Sequence, residues 1–269
     1  MSFNDLAKER HSYRGLSPMP EEQEKIDAIM ETGPLPSAAC SNQLCKWVVR
    51  ATFCGCMIFA YLGYWLGYSS DHDVCLAMRN NTVLAYLPVE MSLHLSANRK
   101  ASVFWLLFAL WAIFFPNAPY VLTDYFHLAH VDPYITLASG KRTSLVRPES
   151  GLWLTFTVVS VSAIACTLFG TWSLDRVEGM LQRRLKRTGP MWRFAFVACF
   201  ATLASVGIYL GRFPRLNSVD LLMRPGHAIG QLASSVGMNM LEFTIMLTLV
   251  QVLVWGCMRF FLVASKAES

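Results

Sequence analysis

Asp124, His127 and His130 recur at every third position in a run bounded by Pro119 and Pro133. On a helix that spacing sets each side chain beside the next on one face. A carboxylate with two imidazoles is a ligand set for zinc or a similar divalent cation, and Asp132, Asp220, His227 and Glu242 are the candidates to complete it. Without a metal, Asp124 and His127 read as an acid/base pair. The plainer alternative has Asp124 capping a short helix while the histidines sit at a water interface.

A second polar string runs from Gly211 through Arg212, Phe213, Pro214 and Arg215 to Asn217, Ser218 and Asp220. Guanidinium forks take phosphate or carboxylate at two points, so Arg212, Arg215 and Arg224 suggest recognition of an anion. Asp220 and Arg224 stand four apart, however, and Asp124 or Glu242 would also neutralise these arginines, giving a purely structural network. Glu90 and His94 form a third group, four apart, with Tyr86 one turn earlier. Ionisable groups at membrane depth are costly and must find partners inside the bundle. The pair is therefore either a proton-linked or substrate-contacting site, or a lock on helix register. Gly-x-Ser-x-Gly, His-Glu-x-x-His and phosphate-cradling glycine loops are absent from the sequence, and nothing places a base beside Ser218.

The elements that position these groups are membrane helices. Of 269 residues 54% are apolar and 15% charged, too few charges to cover a soluble domain. Mean hydropathy is +0.37. Five segments of span length stand out: Trp47 to Gly67, Ala101 to Leu122, Trp153 to Ser173, Trp192 to Leu210 and Leu241 to Val263. Asn81 to Ala97 is shorter and holds Pro88, Glu90 and His94. Counting it as a span gives six, with sixteen Lys and Arg on the side of the termini and seven on the other. The positive-inside bias then puts both termini in the cytoplasm. Arg50, Arg193 and Arg259 fall near the cytoplasmic helix ends, from which they can snorkel to the interface. The net charge of +5 is explained by this bias and needs no nucleic acid.

Residues 1–44 hold four Lys and Arg against seven Asp and Glu, with four prolines. They read as a cytoplasmic tail, not a cleavable signal, with one short helix between Pro20 and Gly33. Residues 45–264 form the membrane domain and 265–269 a cytoplasmic end. Cys75 is the one cysteine expected in an outward loop, which leaves no outward disulfide framework. Cys54 and Cys56 read as packing residues. Gly63 with Gly67, and Gly207 with Gly211, are small-residue pairs that let helices approach closely. Pro116 and Pro119 should break the span that begins at Ala101, leaving carbonyls to be satisfied at membrane depth.

Two strings carry a family resemblance. One is Phe115 to Tyr120 with Thr123, Asp124, His127 and Leu128; the other is Tyr209, Gly211 to Phe213, Arg215, Asn217, Ser218 and Asp220. In both, the chain resembles the bacterial membrane proteins of domain of unknown function 1361, over roughly residues 47–263. The resemblance implies a polytopic bacterial membrane protein and no known reaction.

The sequence thus leads us to expect an all-α bundle of six transmembrane helices in the bacterial plasma (inner) membrane. An outward pocket would be lined by Asn117, Tyr120, Arg212, Arg215, Asn217 and Asp220, with Asp124 and His127 as acid/base pair or metal ligands. Its ligand would be an anionic lipid or envelope precursor. One alternative is a proton-coupled transporter of small solutes working through Glu90 and His94. The other is an assembly scaffold that contacts partners through its tail. Whether the chain is an enzyme stays open.

Overall fold

The computed structural model describes residues 43–66, 72–130, 134–137, 139–187, 189–215 and 223–267. The tail and its expected helix lie outside them. The element order is α1 (Gln43–Leu66), α2 (His72–His94), α3 (Ala101–Phe114), α4 (Asn117–Tyr120), a 3-10 helix (Val121–His130), β1 (Tyr134–Thr136), β2 (Arg142–Val146), α5 (Ser150–Leu185), α6 (Pro190–Arg212), α7 (Pro225–Ser235) and α8 (Met238–Ala267). Five stretches are long and apolar enough to cross a membrane: Gln43–Trp65, Ala101–Ala129, Ser150–Leu185, Pro190–Arg212 and Met238–Leu262. They mark a multi-pass membrane protein. Large apolar side chains on α1 and α8, among them Trp47, Ile58, Leu62, Ile245, Leu249 and Leu253, point outward, where lipid solvates them.

The doubtful segment becomes α2. It starts at His72, nine residues before the expected Asn81, and Pro88 sits inside it without ending it. Its 23 residues reach roughly 34 Å at ~1.5 Å per residue. Cys75, Met78, Thr82, Ala85, Val89 and Ser92 are buried, alternating three and four apart, which is the spacing of a helix packed along one seam. The helix packs against α1, α3, α4, the 3-10 helix and α5. A helix shielded by protein tolerates polar residues that a lipid-facing helix does not. Cys75, expected in a loop, is therefore a buried helical residue. At Gly63 on α1 an added Cβ would lie 3.0 Å from Val158 Cγ2 and 3.2 Å from Cys75 Sγ, so the missing side chain lets three helices meet.

The break at Pro116 is where the second set of helices joins. The Asn117 side chain donates to the Phe114 carbonyl (2.9 Å) and the Thr123 hydroxyl to the Tyr120 carbonyl (2.7 Å). Side chains thus supply donors to carbonyls that the disrupted ladder leaves. The kinked segment seats on two glycines. A Cβ at Gly170 would lie 2.6 Å from Ala118 Cβ, and one at Gly207 would lie 3.2 Å from Pro116 Cβ. Gly207 therefore receives the proline turn. Beyond it, Trp111 is fully buried among Phe115, Phe196, Val197 and Leu174, and its indole donates to Ser173 Oγ (3.3 Å).

Three expectations are revised. The segment from Val121 to His130 is a 3-10 helix, not a short α-helix. An antiparallel pair, Tyr134 opposite Val146 and Thr136 opposite Arg142, adds a small hairpin to the all-α picture. Its β-branched Ile135, Thr136, Thr143 and Val146 suit strands, but three to five residues are too few for period to declare itself. Finally, Arg176 to Leu185 is not a loop: α5 runs unbroken for 36 residues and ends on Lys186 in the left-handed region (φ 51°).

The glycine contacts make a direct prediction. Gly170→Ala forces a methyl against Ala118 and should cost about 1–3 kcal/mol. Gly55→Ala, inside α1, meets nothing within 4 Å and should stabilise by up to about 1 kcal/mol. Thermal unfolding of the two variants in detergent will compare them.

Candidate functional site

Four elements converge near the carboxyl end of α6. α2 contributes Asn81, α4 contributes Tyr120, the 3-10 helix contributes Thr123, Asp124 and His127, and α6 ends on Arg212. Three residues per turn stack Asp124 directly over His127. Asp124 is 0% exposed. Its Oδ1 accepts from Arg212 Nη2 (2.9 Å) and its Oδ2 from Asn81 Nδ2 (2.6 Å). The same Nη2 donates to Thr123 Oγ1 (2.7 Å), and the guanidinium carbon lies 4.9 Å from the Tyr120 ring centroid. The aromatic face attracts the cation as well, so Tyr120 and Asp124 both hold the guanidinium.

His127 forms the open edge, with 31% of its side chain exposed against 20% for Arg212. Its Nε2 is 3.3 Å from Arg212 Nη1 and 3.5 Å from Asp124 Oδ1. Arginine is donor only, so its contact selects the imidazole tautomer that has the lone pair on Nε2. Arg212 Nε is buried without a hydrogen-bond partner among the described residues.

Of the expected metal set Asp124, His127 and His130, the first two both meet Arg212. A guanidinium stands where a metal ion bridging Asp124 and His127 would have to sit, and both Asp124 oxygens are engaged. Among the described residues no three His, Cys, Asp or Glu gather as a ligand set. The side chain of His130 lies outside the described residues, as do Asn217 and Asp220. Arg215 is exposed, with φ 61°, and is not part of the Asp124 cluster. Asn117 commits its Nδ2 to the Phe114 carbonyl. Arg224, His227 and Glu242 are exposed.

Glu90 lies nine residues further along α2, at the other end of the bundle. It accepts both arms of the Arg50 guanidinium, the Tyr86 hydroxyl, and His94 Nε2 at 3.0 Å. Arg50 therefore turns to Glu90 and ties α1 to α2. The sequence places Tyr86 and His94 correctly on the Glu90 face but gives no reason to choose Arg50, forty residues away, over the interface.

A third polar group escapes the sequence reading. On α5, fully buried Glu178 accepts from Arg193 Nε (3.1 Å), and Asp175 pairs with Arg259 (3.5 Å) and the Trp255 indole (3.2 Å). Arg176 donates to the Ser92 carbonyl (3.0 Å), and Arg184 to the carbonyls of Ala97 (2.7 Å) and Arg99 (2.9 Å). Arg193 and Arg259 thus face the bundle rather than the interface. The available signal was the dense Asp175-Arg176-x-Glu178 cluster straight after an apolar run.

Removing one member of the Asp124–Arg212 pair strands the other. Asp124→Asn should lower stability by about 3–5 kcal/mol. The joint change Asp124→Leu with Arg212→Met should recover most of that loss, read as melting temperature in one detergent.

The family described as Protein of unknown function (DUF1361) matches residues 80–254. That stretch begins inside α2 and ends inside α8, and it holds Asn81, Asp124, His127 and Arg212. No curated protein and no solved structure matches the chain. With well over half of its residues covered, the chain belongs to this family of unknown function.

Proposed function

We propose that the protein crosses the bacterial plasma membrane six times, with both termini in the cytoplasm, and that its outward cluster binds or processes an anionic lipid or envelope precursor. Support for the sixth span is the length of α2 and its place among α1, α3, α4 and α5. An even number of crossings also keeps the sixteen Lys and Arg on one side.

The observation that carries the ligand reading is the half-open rim at Arg212. Asp124 and Thr123 hold the guanidinium, Tyr120 lies under it, and His127 is exposed beside it. Because Asp124 neutralises Arg212, the pair alone attracts no anion strongly. Attraction falls to Arg215, three residues on and exposed, while the fixed Arg212–His127 edge orients what arrives. In a reaction, His127 is the group placed to move a proton, with Arg212 fixing its tautomer. The transporter reading gains nothing from the Glu90 group, where a proton would have to compete with the fork of Arg50.

Two measurements test this. In intact cells a membrane-impermeant maleimide should label Ser139→Cys but reach Ser2→Cys and Ser269→Cys only after lysis; labelling of either terminus in intact cells would overturn the six-span reading. For the ligand, native mass spectrometry of the full chain in detergent should show phosphatidylglycerol retained over phosphatidylcholine. Arg215→Gln or His127→Gln should each weaken that retention about tenfold, the scale of one hydrogen bond to a charged group. Equal retention of the two lipids by the unmodified protein would reject an anion site.

A further inference from the structure

α7 is a helix with too little to hold it. Its eleven residues, Pro225–Ser235, include Gly226 and Gly230. An isolated helix shorter than about 12–15 residues is marginal in water, and each interior glycine costs it roughly 1 kcal/mol more. Protein gives little compensation, since among the described residues the largest contact of α7 with the bundle is a small one with α6. Yet its sequence is sorted by face. Ile229, Leu232, Ala233 and Val236 follow the i, i+3, i+4, i+7 stripe, while His227, Gln231 and Ser234 occupy the opposite one. The apolar stripe is not turned inward: Ile229 is 64% and Val236 72% exposed, and Met223 and Met238 at either end are also exposed.

The chain enters this segment from Arg212, the last residue of α6, and leaves it at Met238, the first of α8. Both neighbours are among the stretches able to cross a membrane, so α7 is tethered at both ends to one bilayer surface. Residues 221–241 contain no Asp or Glu, but do contain Arg224 and His227. Apolar on one face, polar on the other and without negative charge, α7 has the composition of a helix lying in a headgroup layer.

We infer that α7 is an interfacial helix. It lies along the surface of the bilayer that α6 and α8 cross, with Ile229 and Val236 at the acyl boundary and Arg224 on lipid phosphate. This rests on the transmembrane reading of α6 and α8 and not on the anion site at Arg212.

Hydrogen exchange on the full chain in nanodiscs of phosphatidylethanolamine and phosphatidylglycerol tests it. The amides of residues 227–236 should exchange about tenfold more slowly in the unmodified protein than in Ile229→Asp, with α6 and α8 equally protected in both. Arg224→Gln should lose the extra protection seen in these discs over discs of phosphatidylcholine. Equal exchange in the unmodified protein and Ile229→Asp would overturn the proposal. So would protection confined to discs that hold two copies, which would assign the face to a second protein molecule. Unprotected α6 and α8 would instead refute the spanning reading beneath it.

Discussion

A carboxylate with no water around it must be given a cation, and Asp124 takes one from the far end of α6. The two residues are 88 apart in sequence, so meeting demands that the chain fold back through α5. Much of that half of the bundle serves the meeting. Pro116 turns the chain out of α3, and the side chains of Asn117 and Thr123 cover carbonyls that the turn exposes. The tight 3-10 coil then brings Asp124 and His127 into line. None of this fits unless α5 and α6 lack side chains where the turn lands, and Gly170 and Gly207 lie there.

The same logic recurs at the opposite end. Arg50 with Glu90 joins α1 to α2, Glu178 with Arg193 joins α5 to α6, and Asp175 with Arg259 joins α5 to α8. Lipid removes the hydrophobic drive that would pull helices together in water. Close packing at small residues and pairing of buried charges then decide which helices are neighbours. A buried pair is weak evidence of net stability against an apolar alternative. It is strong evidence of position, because a mispaired helix would leave a charge alone in a medium that cannot solvate it. The ion pairs here are best understood as specifying an arrangement, and those of Asp124 and Glu90 each add a partly exposed imidazole, His127 and His94.

That addition sets the Asp124 and Glu90 clusters apart from the pairs on α5. Glu178 and Asp175 are closed off by protein, and a ligand would have to displace their arginines to reach them. At the Asp124 end the carboxylate is just as buried, but the arginine and histidine that cover it retain exposed edges. A preorganised polar edge on an otherwise apolar molecule presents fixed geometry to its surroundings, and the Asp124 and Glu90 clusters each have one.

Some of this was legible in the residues themselves. Long apolar runs are dictated by the lack of water in a bilayer, so the five strong spans appear at close to their sequence positions. Pro116 and Pro119 announce a break because proline lacks a donor whatever surrounds it. The two motif strings single out Asp124, His127 and Arg212 by type and spacing. What tertiary structure decided was partnership. No local pattern chooses Arg212 over Arg215 for Asp124, finds Asn81 for its second oxygen, or turns Arg50 from the interface to Glu90. Nor can hydropathy foresee that α2 buries a seam among its neighbours, or that Asp175 to Gln182 remain helical under a cover of other helices. Local physics depends on one residue and the next few, and the sequence states it outright. The cost of a buried charge depends on what else is buried with it, and only the folded chain supplies that.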